Sequence, residues 1–295
     1  MVSEGDSPAP LSAAEAVRLA REALEGGEPM ASVTVIDARA SSDEARCPAP
    51  GARMAVWKDR SRGTLGDPAL DEKAAAFARE ALAAGARVAT REVEAGGAMV
   101  TLYAEPHHAP PELVIVGAGH IARPLCRVGA LLGFRVTVLD DRPEFATRER
   151  FPEAAEVRRA DFSEPLLGVP MGPRTHLVLV TRGHKYDYEA LRDVLQRPEL
   201  PAYLGMVGSR RRTRAALEQL VREGIDPERI AAVRAPVGLD VHAETPEEIA
   251  VAIAAELVLL RRGGTGRPLR ETERVFERWV ERRGEPPRNP AAPEP

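Results

Sequence analysis

Residues 113–142, LVIVGAGHIARPLCRVGALLGFRVTVLDDR, constrain the fold of this chain more than any other stretch. The apolar run 113–116 reads as a buried parallel strand, residues 121–132 carry helical periodicity, and 135–139 read as a second strand. Gly117 and Gly119 fall in the connection between the first strand and the helix. Gly117 permits a sharp turn, Gly119 lets a phosphate approach the backbone, and Ala122 stands where the third glycine of a dinucleotide fingerprint gives close helix-strand packing. Free amides at the helix start then face an anion. Asp140 ends the second strand about twenty residues beyond the turn, where a carboxylate can accept from a ribose or an amine edge. A βαβ nucleotide-binding unit follows from the pattern.

The rhythm continues downstream. Residues 176–181 and 202–207 read as strands and 186–196 and 210–223 as helices, so the C-terminal part is expected to be a Rossmann-like, doubly wound α/β sheet. Thr245, Pro246 and Glu248 form a capping box with proline at the first helical position, opening an apolar helix over 249–260 that Gly263 and Gly264 end. Upstream, helices at 11–25 and 71–84, strands at 31–38 and 52–57, a turn at 62–66 and a hairpin of 87–94 with 98–103 about Gly96-Gly97 make a smaller α+β domain. The expected divisions are 1–105 for that domain, 106–111 for a proline-rich linker, 112–264 for the nucleotide-binding domain, and 265–295 for a last helix and a disordered tail.

With 44% apolar residues the chain can fill two cores, and a net charge of −4 without a basic block argues against nucleic acid. The start MVSEGDSPAP carries no signal pattern, and Glu256 breaks the longest apolar stretch, so a cytoplasmic location away from membranes is expected. Cys47 and Cys126 have no CxxC spacing, and no metal site is expected. Cys126 falls on the apolar face of the first crossover helix, while nothing near Cys47 supplies an activating base.

Ligands in such sheets sit beyond the carboxyl ends of the strands, which marks four clusters. The first is Gly117, Gly119 and His120 with Asp140; there Asp141 and Arg142 add a fixed charge pair that binds a phosphate or closes on itself. The second is Thr181, Gly183 and His184 with Asp187, three residues from His184. His184 and Asp187 are the candidates for acid-base work, with the plainer alternative that Asp187 only favours the helix start. The third is Ser209 and Arg210, an anion site or a plain helix cap with solvated arginines. The fourth is Asp240, in a loop that contacts a ligand or is merely tied down by its own turn.

On these residues the chain resembles the XdhC/CoxI family of accessory proteins for xanthine dehydrogenase and related molybdenum hydroxylases. GAGHIA, GFRVTVLDDRPEFA, VTRGHKYD, YLGMVGSRRR and APVGLDVHAETPEEIAVAIAAE read as family segments in family order, with PGARMAV and GTLG more weakly in the first domain. The resemblance implies a chaperone that binds molybdenum cofactor (molybdopterin or its dinucleotide form) and hands it to a hydroxylase. It further implies a cysteine desulfurase and a second copy of the chain as partners. Two positions depart from the family. After GTLG many members carry Gly-Gly-Cys-Leu-Glu, whereas this chain has Asp67-Pro68-Ala69-Leu70-Asp71, so the family thiol position is Ala69; and His242 stands where glycine is expected. Without the thiol, that loop offers molybdenum no thiolate. An NAD-dependent oxidoreductase using the same turn, and a scaffold with an unused crevice, are the alternatives.

Overall fold

The computed structural model describes residues 9–40, 47–161, 163–274 and 278–279; the side chain of His184 and, within the expected last helix and tail at 265–295, residues 275–277 and 280–295 lie outside the described residues. The chain divides into two compact units, Met1–Pro111 and Glu112–Pro295.

The first unit runs α1 (Ala13–Leu24), β1 (Met30–Ala40), β2 (Arg53–Val56), β3 (Ser61–Gly63), α2 (Pro68–Ala83), β4 (Ala89–Ala95) and β5 (Ala98–His107). Its antiparallel sheet has the order β3-β2-β1-β5-β4. Period-two alternation sends Val33, Val35, Val100 and Leu102 to one face, where Leu70, Phe77 and Ala78 of α2 meet them. Met30 and Ala55 face the other way and pack on Leu19 and Ala23 of α1. Each fully buried leucine contributes about 2 kcal/mol to holding the layers together. Ser12 and Glu15 form a capping box at α1, and Asp67 caps α2 with Pro68 at its first position, ahead of the expected start at Asp71.

Two segments differ from expectation. The segment 106–111 is not wholly irregular, because β5 continues through Pro106 to His107 opposite Met30. Pairing of β5 with β4 ends at Ala104, so beyond it the strand has one open edge and tolerates a residue without an N–H. The expected turn at 62–66 also contains strand: Ser61–Gly63 pairs with β2 before Gly66 turns the chain at φ +100°.

The second unit runs β6 (Glu112–Val116), α3 (Ala122–Leu131), β7 (Arg135–Asp140), β8 (Glu156–Arg159), β9 (Thr175–Leu179), α4 (His184–Gln196), β10 (Tyr203–Met206), α5 (Arg210–Arg222), α6 (Pro227–Ala231), β11 (Val233–Arg234), α7 (Pro246–Arg262) and α8 (Leu269–Glu273). Its six strands are parallel, in the order β11-β10-β9-β6-β7-β8. Counted within the unit this is 6-5-4-1-2-3, and the order reverses between β6 and β9.

Alternate residues of β6 feed separate cores. Leu113 and Ile115 pack with Leu125 and Cys126 of α3 and Ile253 and Leu257 of α7; Val114 and Val116 pack with Leu191 and Val194 of α4 and Leu220 of α5. Close helix-strand approach, assigned above to Ala122, is seen at Gly129, where a Cβ would lie 2.6 Å from Leu113 Cδ2. No helix among the described residues is long and apolar enough to cross a membrane.

Candidate functional site

The site is built where β6 and β9 end side by side, at the point where strand order reverses. Gly117 leaves β6 at φ +107°, and a Cβ there would sit 2.6 Å from the Val180 carbonyl oxygen. That glycine is therefore demanded by the neighbouring strand's exit rather than by a ligand. Gly119 differs: a Cβ there would meet nothing within 4 Å. The following helix α3 has no side-chain cap at Ile121, and Pro124 in its first turn carries no N–H. Among the described residues, the amides of Gly119, His120 and Ile121 have no protein acceptor. Consecutive unpartnered amides leading into a helix are the arrangement that holds a phosphate.

Asp140 sits beside this turn, 1% exposed. Its carboxylate is filled. Oδ2 accepts from the Ala118 amide at 2.7 Å and Arg142 Nη2 at 2.9 Å; Oδ1 accepts from the Arg142 amide at 3.0 Å and Nε at 2.9 Å. Burial pushes the carboxyl up, but the Arg142 side chain, the two backbone amides and the Arg142 charge outweigh it and hold it below the ordinary range. The Arg142 side chain pairs with Asp140, and its guanidinium also lies 3.6 Å from the centre of the Phe145 ring. Asp141 is gripped by Arg182 through two bonds of 2.9 and 2.7 Å, and Arg182 also donates to Tyr186 Oη at 3.2 Å.

Across the crevice, the Thr181 hydroxyl donates to Asp187 Oδ1 at 2.5 Å, and Arg212 Nη2 donates to Oδ2 at 2.9 Å. Gly183 is the extended cap of α4, His184 is its first residue, and Asp187 lies in its first turn with a buried carboxylate. Sequence reasoning does not pair Asp187 with Thr181 and Arg212; the alternation of strand end and helix start in VTRGHKYD and GSRRR is the signal that contains them.

The remaining candidates sit apart from this turn. Ser209 is a helix cap, accepting from the Arg212 amide at 3.3 Å, which is the plainer of its two readings. Arg210 lines a groove of about 470 Å³ with Thr213, Leu217 and Pro236. Asp240 is exposed, with His242 Nδ1 3.7 Å from its carboxylate. His242 stands at φ +55°, a backbone region that favours glycine, which accounts physically for the expected residue there. Its loop is tied down by Glu256, a carboxylate that the sequence does not mark as functional: Glu256 Oε2 accepts from the Gly238 amide at 2.8 Å and Tyr203 Oη at 2.5 Å. Cys126 is buried, and burial pushes its thiol up to about 11, so it is a protonated core side chain at neutral pH.

A phosphate-bearing cofactor fits the amides of the turn. The metal end of molybdenum cofactor finds less: no group of three His, Cys, Asp or Glu among the described residues could hold a metal, and Ala69 lies exposed in the first turn of α2.

Residues 113–257 match the model of the XdhC Rossmann domain, and residues 23–93 match that of the XdhC and CoxI family. An uncharacterised protein of Escherichia coli (strain K12), YqeB, is 32% identical over 251 residues, covering 81% of this chain and 44% of that protein. A Bacillus subtilis (strain 168) protein described as a probable subunit of xanthine dehydrogenase is 34% identical over 152 residues, covering 52% of this chain and 43% of that one. The chain thus spans less than half the length of these curated relatives. A solved xanthine dehydrogenase structure from Bacillus halodurans aligns at a TM-score of 0.49 and 20% identity, covering 85% of this chain and 96% of that one. Two family models together account for most of both units, and the chain belongs to the XdhC/CoxI family.

Proposed function

We propose that this chain is an accessory protein for a xanthine dehydrogenase-type molybdenum hydroxylase, which holds molybdenum cofactor by its phosphate and passes it to the enzyme. The observation that carries the reading is the run of amides from Gly119 to Ile121 without a protein acceptor, opening beside a glycine whose missing side chain leaves open space. Membership of the XdhC/CoxI family supports the choice of client, and the cofactor class is part of the same proposal. The cofactor brings the molybdenum chemistry of the client; this chain contributes binding and orientation. His120 stands exposed at the turn, within the segment that would receive the phosphate. A cysteine desulfurase and a second copy of the chain are the further partners of this reading.

The NAD-dependent alternative would need a carboxylate free to receive a ribose diol, and Asp140 already accepts four hydrogen bonds. The test is reconstitution. Cofactor-loaded protein mixed with apo-hydroxylase is expected to restore activity faster than free cofactor does. Equal rates, with NADH bound by calorimetry, would turn the reading toward a dehydrogenase.

A further inference from the structure

The end of β7 carries a second recognition feature. In dinucleotide folds a carboxylate at this place receives the ribose hydroxyls. Here both oxygens of Asp140 are occupied, and what the chain turns outward instead is Arg142. Its Nε and one Nη2 proton go to Asp140, while its Nη1 protons have no acceptor among the described residues. The guanidinium is held by the fork to Asp140 and by the Phe145 ring beneath it, and the Arg142 amide donates to the same carboxylate. Its side chain remains 27% exposed. A donor group fixed in this way loses little freedom on binding an acceptor. Arg182 stands close enough for its charge to oppose that of Arg142, and it is locked to Asp141 from the end of β9. Two forked guanidinium-carboxylate pairs therefore meet at this corner, and Asp141, the more exposed carboxylate, has both oxygens bound by Arg182.

We propose that the β7 end of the crevice is a phosphate-monoester subsite built on Arg142, which selects an anionic acceptor over a ribose diol. The inference rests on the crevice being a ligand site, as proposed above, and not on the ligand being molybdopterin. Two sources share the chemistry: a phosphorylated ribose, whose pyrophosphate would lie on the turn amides, and the phosphate monoester of a pterin, which the turn amides and the neighbouring Arg142 would hold together. Planar, charge-assisted pairing of guanidinium with phosphate supplies the selectivity, and added salt reduces it.

The experiment uses the full chain and two probes, ADP-ribose and its 2′-phosphorylated form, which differ only in that phosphate. Calorimetry is expected to give about tenfold tighter binding of the phosphorylated probe, a ratio that falls to about one in Arg142→Ala. A second arm measures the pterin retained by purified wild type and Arg142→Ala. If the nucleotides do not bind but the variant loses its pterin, the phosphate comes from the pterin. Equal binding of the two probes, or nucleotide and pterin contents both indifferent to the substitution, overturns the subsite. A wild type free of pterin counts against the cofactor reading alone, because the nucleotide arm stands without it. Should Arg142→Ala fail to fold, with Asp140 left buried beside fewer donors, the pair D140N/R142Q removes both charges together and repeats the comparison.

Discussion

Arg212 donates to the buried carboxylate of Asp187 at 2.9 Å, and this ion pair joins the first turn of α5 to the first turn of α4. The two helices follow consecutive strands, so the pair fixes the spacing of the loops that wall one side of the crevice. The Asp187 side chain is 4% exposed and that of Arg212 is 37% exposed. Removing one partner of a fully buried pair costs about 3–5 kcal/mol; with the guanidinium a third exposed, Arg212→Ala is expected to cost about 2 kcal/mol. Urea denaturation reads this directly, and a loss below about 0.5 kcal/mol would show that the pair does not tie the helices.

The two glycines of the turn separate folding from binding. Gly117→Ala forces a Cβ against the Val180 carbonyl at a positive φ and is expected to cost about 3 kcal/mol or the fold itself. Gly119→Ala meets open space and is expected to change stability by less than about 1 kcal/mol while weakening ligand binding. Thermal melts and calorimetry on both variants check this; the reverse ranking would contradict the assignment of the two roles.

His176 gives the fold a dependence on pH. Burial lowers its pKa, with the charge of Arg261 acting in the same direction and the Arg174 carbonyl opposing. The ring stands edge-on to Phe134, 5.1 Å between centres. Folded protein keeps the imidazole neutral where the unfolded chain, near 6.5, takes up a proton. Its contribution is complete above about 6.5 and is lost as pH falls from there through the lower folded value. Melting temperatures between pH 7.5 and 5 are expected to fall more steeply for wild type than for His176→Phe, and parallel curves would refute the point.

Glu256 accepts from the Tyr203 hydroxyl and the Gly238 amide within an otherwise apolar face of α7. Glu256→Ala removes the acceptor of both donors and is expected to cost about 2–3 kcal/mol; Glu256→Gln, which keeps a carbonyl there, about 1 kcal/mol. Equal losses for the two in chemical denaturation would mean that packing, not the acceptor, is what matters.

Much of this architecture is legible in the sequence because a parallel sheet buried on both faces writes its strands as apolar runs, as at Leu113–Val116 and Leu177–Leu179. The edge strands left no such mark: β8 reads Glu-Val-Arg-Arg, and β11 is only two residues long. Spacing from the glycine turn locates Asp140, but the reach of Arg142 back to it depends on the path of the chain after β7, which periodicity does not encode. Glu256 reads as an interruption of an apolar helix, because its value lies in the loop it meets, 18 residues away in sequence. His242 is marked by its departure from the family, and its positive φ supplies the reason.

The most direct test of the central claim is the pterin content of the purified chain, measured by acid oxidation with fluorescence detection, for wild type beside Gly119→Val. Expressed in a host that makes molybdopterin, wild type is expected to carry pterin approaching one per chain, and the variant to fold equally well and carry little. A wild type without pterin, or a variant that keeps it in full, would contradict the account.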